Sequence, residues 1–136
     1  MQKLYESDLA CYFLDRENDT LFCEWKSGQY YSDKIFKESV IALTEFLKTH
    51  PVTKILDDSL QVDYPIPPDT QIWVAQTITP VFLETGLQKY ALVQPTELLG
   101  ELSNEQLFDE IDEVSDGSFV SKVFSSQQKA LAWLRA

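Results

Sequence analysis

The stretch SDKIFKESVIALTEFLKTHPVTKILD, residues 32–57, decides how the rest of the chain must be arranged. Ser32 stands where a helix N-cap is expected, since its side-chain oxygen can accept from a free N–H of the first turn. Phe36, Val40, Leu43 and Leu47 then recur at i, i+4, i+7 and i+11, which puts them on one helix face. Pro51 has no N–H to continue the ladder and ends the helix at His50. VTKILD, residues 52–57, is apolar and β-branched enough to be a strand. His50 is the single histidine and the only side chain whose ordinary pKa suits a general base near neutrality. Its place at a helix C-terminus assigns it to capping and to complementing the helix dipole instead.

A strand that follows a crossover helix needs a parallel neighbour upstream. Residues 9–14 (LACYFL) and 20–26 (TLFCEWK) flank the polar DREND and read as a β-hairpin. Pairing Asp15 with Asp19 puts Leu9, Cys11 and Phe13 on one face with Leu21, Cys23 and Trp25. In that register Cys11 lies opposite Cys23, at a separation compatible with a disulfide, while a reducing compartment leaves both as small core residues.

Downstream the alternation continues. A second helix runs from Pro68 or Asp69 to Gly86 with Val74, Ile78, Val81 and Phe82 inward, and Pro80 inside it should bend it. LQKYALVQ (87–94) is a strand. Ser103 with Gln106 forms a capping box for a third helix using Leu107, Phe108, Ile111 and Val114. FVSKVF (119–124) is a strand, and Ser125 with Gln128 opens a last helix burying Ala130, Leu131 and Leu134. The expectation is a single α/β domain over residues 1–136. Its mixed five-stranded sheet is an N-terminal β-hairpin plus three parallel strands, joined by right-handed crossovers, with about four helices.

Charge narrows the partners. Twenty-two acidic against eleven basic side chains give −11, a field that repels phosphate backbones and anionic lipid surfaces, so neither nucleic acid nor membrane insertion is expected. The sequence shows no run of the roughly 20 apolar residues that span a bilayer and no export signal, which points to the cytoplasm. With 44% apolar residues and 17 aromatic side chains (eight Phe, six Tyr, three Trp), the composition is globular. One His and two Cys cannot build a four-ligand zinc site. The acids from Glu97 to Asp116 read as a solvated face or, alternatively, a surface for a basic protein. No nucleotide-binding or hydrolase motif occurs, and no catalytic residue, metal or cofactor is assigned.

Several residues carry a resemblance beyond periodicity. Trp25, Lys26, Ser27 and Gly28 after the hairpin, Trp73, Val74, Pro80 and Gly86 in the second helix, and the terminal ALAWL (Ala130 to Leu134) together resemble the SpoIIAA-like branch of the STAS superfamily, whose members are often grouped with CRAL-TRIO domains. The resemblance spans nearly the whole chain and implies a mostly non-enzymatic binding or regulatory module. In that superfamily's antagonists, a Ser or Thr after the third strand is phosphorylated. Ser59 is nearest to that position here, but no Gly follows it, and about ten residues separate it from the next helix.

The binding surface is expected at the carboxyl ends of the parallel strands, where open sheets hold their ligands. Two connections there carry apolar residues: Val62, Tyr64 and Ile66 among Pro65, Pro67 and Pro68, and Leu98, Leu99 and Leu102 in PTELLGELS. They either plug the end of the sheet or expose a groove, which prolines would preform. The second helix also carries Ile72, Trp73 and Leu83 away from its core face, for a neighbouring helix, a homodimer or a partner. Two occupants follow: a protein partner or ligand docked by a non-catalytic cytoplasmic module, or a small lipophilic molecule held by a carrier. Asp57, Asp58 and Asp63 offer oxygen ligands, but their spacing matches no ion loop.

Overall fold

The computed structural model describes residues 1–27, 32–62, 66–94 and 117–136. Six strands form one sheet in strictly sequential order: β1 (Gln2–Glu6), β2 (Ala10–Asp15), β3 (Thr20–Trp25), β4 (Lys54–Asp58), β5 (Lys89–Val93) and β6 (Val120–Phe124). β1–β2 and β2–β3 pair antiparallel, and β3 to β6 run parallel. The helices among the described residues are α1 (Asp33–Thr49), α2 (Pro68–Thr85) and α3 (Gln127–Arg135). The α/β class and the hairpin-then-parallel plan hold, with six strands where five were expected. The added strand, QKLYE, is an edge strand whose polar ends and short length leave little period-2 signal.

Each crossover steps one strand in the same direction, so right-handed connections place α1 and α2 on the same side of the sheet. Their apolar faces close one core: Phe36, Val40, Leu43 and Leu47 of α1 and Val74, Ile78, Val81 and Phe82 of α2 cover Tyr12, Leu21, Cys23, Ile55, Tyr90 and Leu92. α3 lies on the other side, where Ala130 and Leu134 pack on Phe22, Leu56, Ala91 and Val93. The two helices on the first face are joined by Thr70 Oγ1 donating to Asp33 Oδ1 at 2.7 Å and by Lys37 Nζ, 5.2 Å from the Trp73 ring centre.

The helix ends form as the residue types dictate. Ser32 accepts from the Ile35 N–H at 3.2 Å, and His50 is the C-cap of α1. Gly86 closes α2 at φ 81°, a left-handed conformation that an L side chain resists. Pro80 sits inside α2 on its exposed side. The last helix is capped by Ser126, not Ser125, and Leu131 is half-buried beside the buried Ala130 and Leu134. The expected helix from Ser103 through Val114 lies outside the described residues.

The hairpin register is corrected by one residue. Asp15 pairs with Thr20, not Asp19, so Ala10, Tyr12 and Leu14 share the α1/α2 face with Trp25, Cys23 and Leu21, while Cys11 pairs with Glu24 on the other face. The cause is Asp19, which takes φ 51° and lengthens the loop to residues 16–19. Asp19 Oδ2 also accepts from the backbone N–H (3.0 Å) and hydroxyl (2.6 Å) of Thr53, tying the loop to the entry of β4. Cys11 and Cys23 therefore point to opposite sides of the sheet, and both are free and buried. The cross-strand disulfide is excluded by this geometry.

Candidate functional site

Parallel β3 and β4 end side by side, at Trp25 and Asp58, and the chain leaving each of them walls a cleft of about 320 Å³. Glu24, Trp25, Lys26 and Ser27 supply one wall; Asp58, Leu60 and Gln61 supply the other. Glu24 and Asp58 are register partners on the same sheet face, so their carboxylates lie next to each other. Lys26 does not neutralise them: its Nζ donates to Ser7 O at 2.7 Å and lies 3.6 Å from Glu6. Asp58 accepts from the Leu60 N–H (3.1 Å) and from Gln127 Nε2 at the start of α3 (3.3 Å).

The second wall is a short turn with its own fastenings. The Ser59 N–H donates to Val93 O at 2.7 Å, and the Val62 N–H donates to Ser59 O at 3.2 Å. Ser59 Oγ donates to Asp57 Oδ1 at 3.2 Å. Successive strand residues alternate sides, so Asp57 points under the α1/α2 layer while Asp58 points to the α3 side. The two cannot grip one ion, and no group of three metal-ligating side chains occurs among the described residues. Asp63 lies outside them.

Asp57 is the unusual residue here. It shares the inner face with Cys23, Tyr90 and Leu92, and its Oδ2 accepts a hydrogen bond from the Tyr90 hydroxyl. Burial pushes its carboxyl up to about 6; hydrogen bonding from Tyr90 and Ser59 pulls the other way, Asp58 adds to the rise, and the Trp25 side chain slightly opposes it. Burial also holds the Tyr90 phenol and the Cys23 thiol well above their ordinary values, each reinforced by the Asp57 charge. Both stay protonated at neutral pH.

The expected site residues divide. Val62 and Ile66 are half-buried and pack onto the core, so these two help plug the end of the sheet. Trp73 is half-buried against α1 under Lys37. Ile72 and Leu83 are exposed on α2, at 39% and 43%. Tyr64, Leu98, Leu99 and Leu102 lie outside the described residues. Ser59 follows Asp58 with its hydroxyl already donating to Asp57, so a phosphoryl group there would meet that buried carboxylate.

Reading by residue type overlooked the β3 side of the cleft, Glu24 to Ser27, because its partners in the cleft lie more than thirty residues away in the chain. It also overlooked the Asp57–Tyr90 pair. The available signal was the alternation in ILDD: if Ile55 faces inward, Asp57 must as well. No helix among the described residues is long and apolar enough to cross a membrane. No protein-family model matches the chain, and a search of curated proteins finds no match.

Proposed function

We propose that the protein is a non-catalytic binding or regulatory module of STAS type that takes a ligand or a protein partner at the carboxyl rim of its parallel strands. The observation that carries this reading is the cleft between the ends of β3 and β4, at the carboxyl end of the parallel strands, the end at which open α/β sheets bind. Hairpin-then-crossover order and three parallel steps support the STAS-type assignment. The described lining is mixed: Trp25 and Leu60 give it an apolar part, Ser27 and Gln61 a neutral polar part, and Glu24 and Asp58 two carboxylates beside one Lys26 that is already paired with Glu6, a charge balance that favours an occupant with hydrogen-bond donors or positive charge at one end.

Amide NMR of the labelled protein, titrated with a library of small polar amines, amides and basic peptides, tests the reading. Saturable shifts centred on residues 24–27 and 58–61, lost in Glu24→Gln/Asp58→Asn, are expected. Shifts confined to other surfaces would overturn the rim site. Native mass spectrometry showing a lipophilic molecule retained through purification would replace this reading with that of a carrier.

A further inference from the structure

We propose that Asp57 is a proton-operated latch for the rim cleft: its ionised carboxylate ties down Ser59 and so fixes the 59–62 turn that forms the β4 wall, and protonation of the oxygen facing Ser59 releases that turn. The inference deepens the reading of the cleft as the binding site and supplies its regulation.

The geometry fixes where the proton goes. Oδ2 accepts from Tyr90, whose phenol keeps its proton, and so is already occupied by a donor. Oδ1 faces Ser59 Oγ at 3.2 Å. An ionised carboxylate accepts from both hydroxyls. Both oxygens accept from a hydroxyl, but the Ser59 hydroxyl at the longer contact can rotate to accept, so the proton is assigned to Oδ1, which then becomes a donor while Ser59 Oγ changes from donor to acceptor or turns away. Ser59 is the main anchor of the wall, by its N–H to Val93 O and its C=O to Val62 N–H, with the Leu60 N–H bond to Asp58 beside it. Trp25 and Asp58, which flank Asp57 in space and in sequence, both line the cleft.

The Trp25 indole N–H, from β3, also donates to this carboxylate. Among the described residues the titratable groups facing it are Cys23 from β3 and Tyr90 from β5 with Tyr12 of β2 behind it, while Asp58, next along its own strand, acts on it by charge from the opposite face. The buried side chains of α1 and α2 include no titratable group, and no cation pairs with Asp57 among the described residues. Cys23 and Tyr90 remain protonated across the range in which Asp57 titrates, so the cluster changes charge once.

The test needs no ligand, so its failure leaves the binding reading standing and a failure to find a ligand leaves the latch standing. Carboxyl-carbon NMR follows Asp57 while amide NMR follows Ser59, Leu60, Gln61 and Val62 from about pH 8 to about pH 5. The expected result is one common midpoint near 6 for the carboxyl and the four amides. In Asp57→Asn the amide response at that midpoint is lost. In Ser59→Ala the carboxyl still titrates while the amides respond far less. An Asp57 transition that leaves the four amides still, or amides that move unchanged in Asp57→Asn, overturns the latch. If the Asn variant does not fold, the coincidence or separation of midpoints in the unmodified protein and in Ser59→Ala decides.

Discussion

Tyr90 donates a hydrogen bond from its hydroxyl to Asp57 across the β4–β5 boundary, reaching diagonally along the inner face, because its own register partner is Ile55. The carboxylate it serves lies beneath two helices, with no cation beside it among the described residues. Such a group lowers the stability of the folded state, and hydrogen bonds soften the penalty without removing it. Uncompensated burial of this kind is found preferentially where a protein uses the group.

The cost of that charge can be measured. Asp57 titrates at about 6 when folded, against an ordinary 3.8, so the folded protein binds the proton more tightly than the unfolded chain. Stability contributed by this residue therefore rises as pH falls from about 6 towards 4, and the penalty is fully present above 6. Asp57→Asn, which cannot ionise, is expected to unfold at higher denaturant at pH 7.5 by roughly 1–3 kcal/mol, with the gain shrinking to nothing near pH 4. Equal gains at both pH values, or a loss at pH 7.5, would contradict the assignment.

The corrected hairpin register predicts thiol behaviour. Cys11 donates to Glu6 at 3.4 Å on one side of the sheet, and Cys23 is sealed beside Asp57 on the other. Burial first, and then Glu6, raises the Cys11 thiol, so neither side chain offers much thiolate at neutral pH. A thiol reagent should find almost no reaction with the folded protein and two thiols once it is unfolded. Mild oxidation should leave the intramolecular disulfide unformed. Mass spectrometry of a non-reduced digest showing a Cys11–Cys23 peptide would overturn the register.

Asp19 joins the loop to β4, and its removal should be felt at a distance. It holds φ 51° and accepts two hydrogen bonds from Thr53, so Asp19→Ala strands a backbone N–H and places a residue ill-suited to that conformation. The expected loss is about 2–3 kcal/mol in denaturant unfolding, with Asp19→Gly losing less because the backbone is then unstrained. A larger loss for Gly than for Ala would show that the conformation matters less than supposed.

Much of the plan could be read from residue types, and the failures have physical causes. Ser32, Pro51, Pro68 and Gly86 mark their helix ends because capping and φ restrictions are local chemistry. The hairpin register depended on one aspartate adopting a left-handed conformation to meet Thr53, a contact made 34 residues away. β1 escaped notice because short edge strands need few apolar residues. The carboxyl rim was legible as the candidate surface, but the β3 side of the cleft was not, because it meets the β4 side only through the crossover. Asp57 gives no sign of its burial by residue type, because carboxylates at strand ends usually face solvent.

Thr79 offers a test of the α2 packing that is independent of the carboxylate. Its side chain is fully buried, yet its hydroxyl finds no hydrogen-bond partner among the described residues. The other hydroxyls of α2 show what is ordinarily done: Thr77 donates to Trp73 O at 2.7 Å and Thr85 to Val81 O at 2.8 Å. Valine has the same branched shape as threonine without the polar atom, so Thr79→Val removes a desolvated donor while keeping the packing beside Ile78 and Phe82. The variant should be more stable by about 1 kcal/mol in denaturant unfolding, because an unmade buried hydrogen bond costs about that much or more. Thr79→Ser, which keeps the hydroxyl and deletes the methyl, should be less stable by about 1 kcal/mol through the small cavity it leaves. Opposite signs for the two substitutions identify the hydroxyl as the unfavourable part of the residue; a Val variant less stable than the unmodified protein would mean that the hydroxyl is bonded after all.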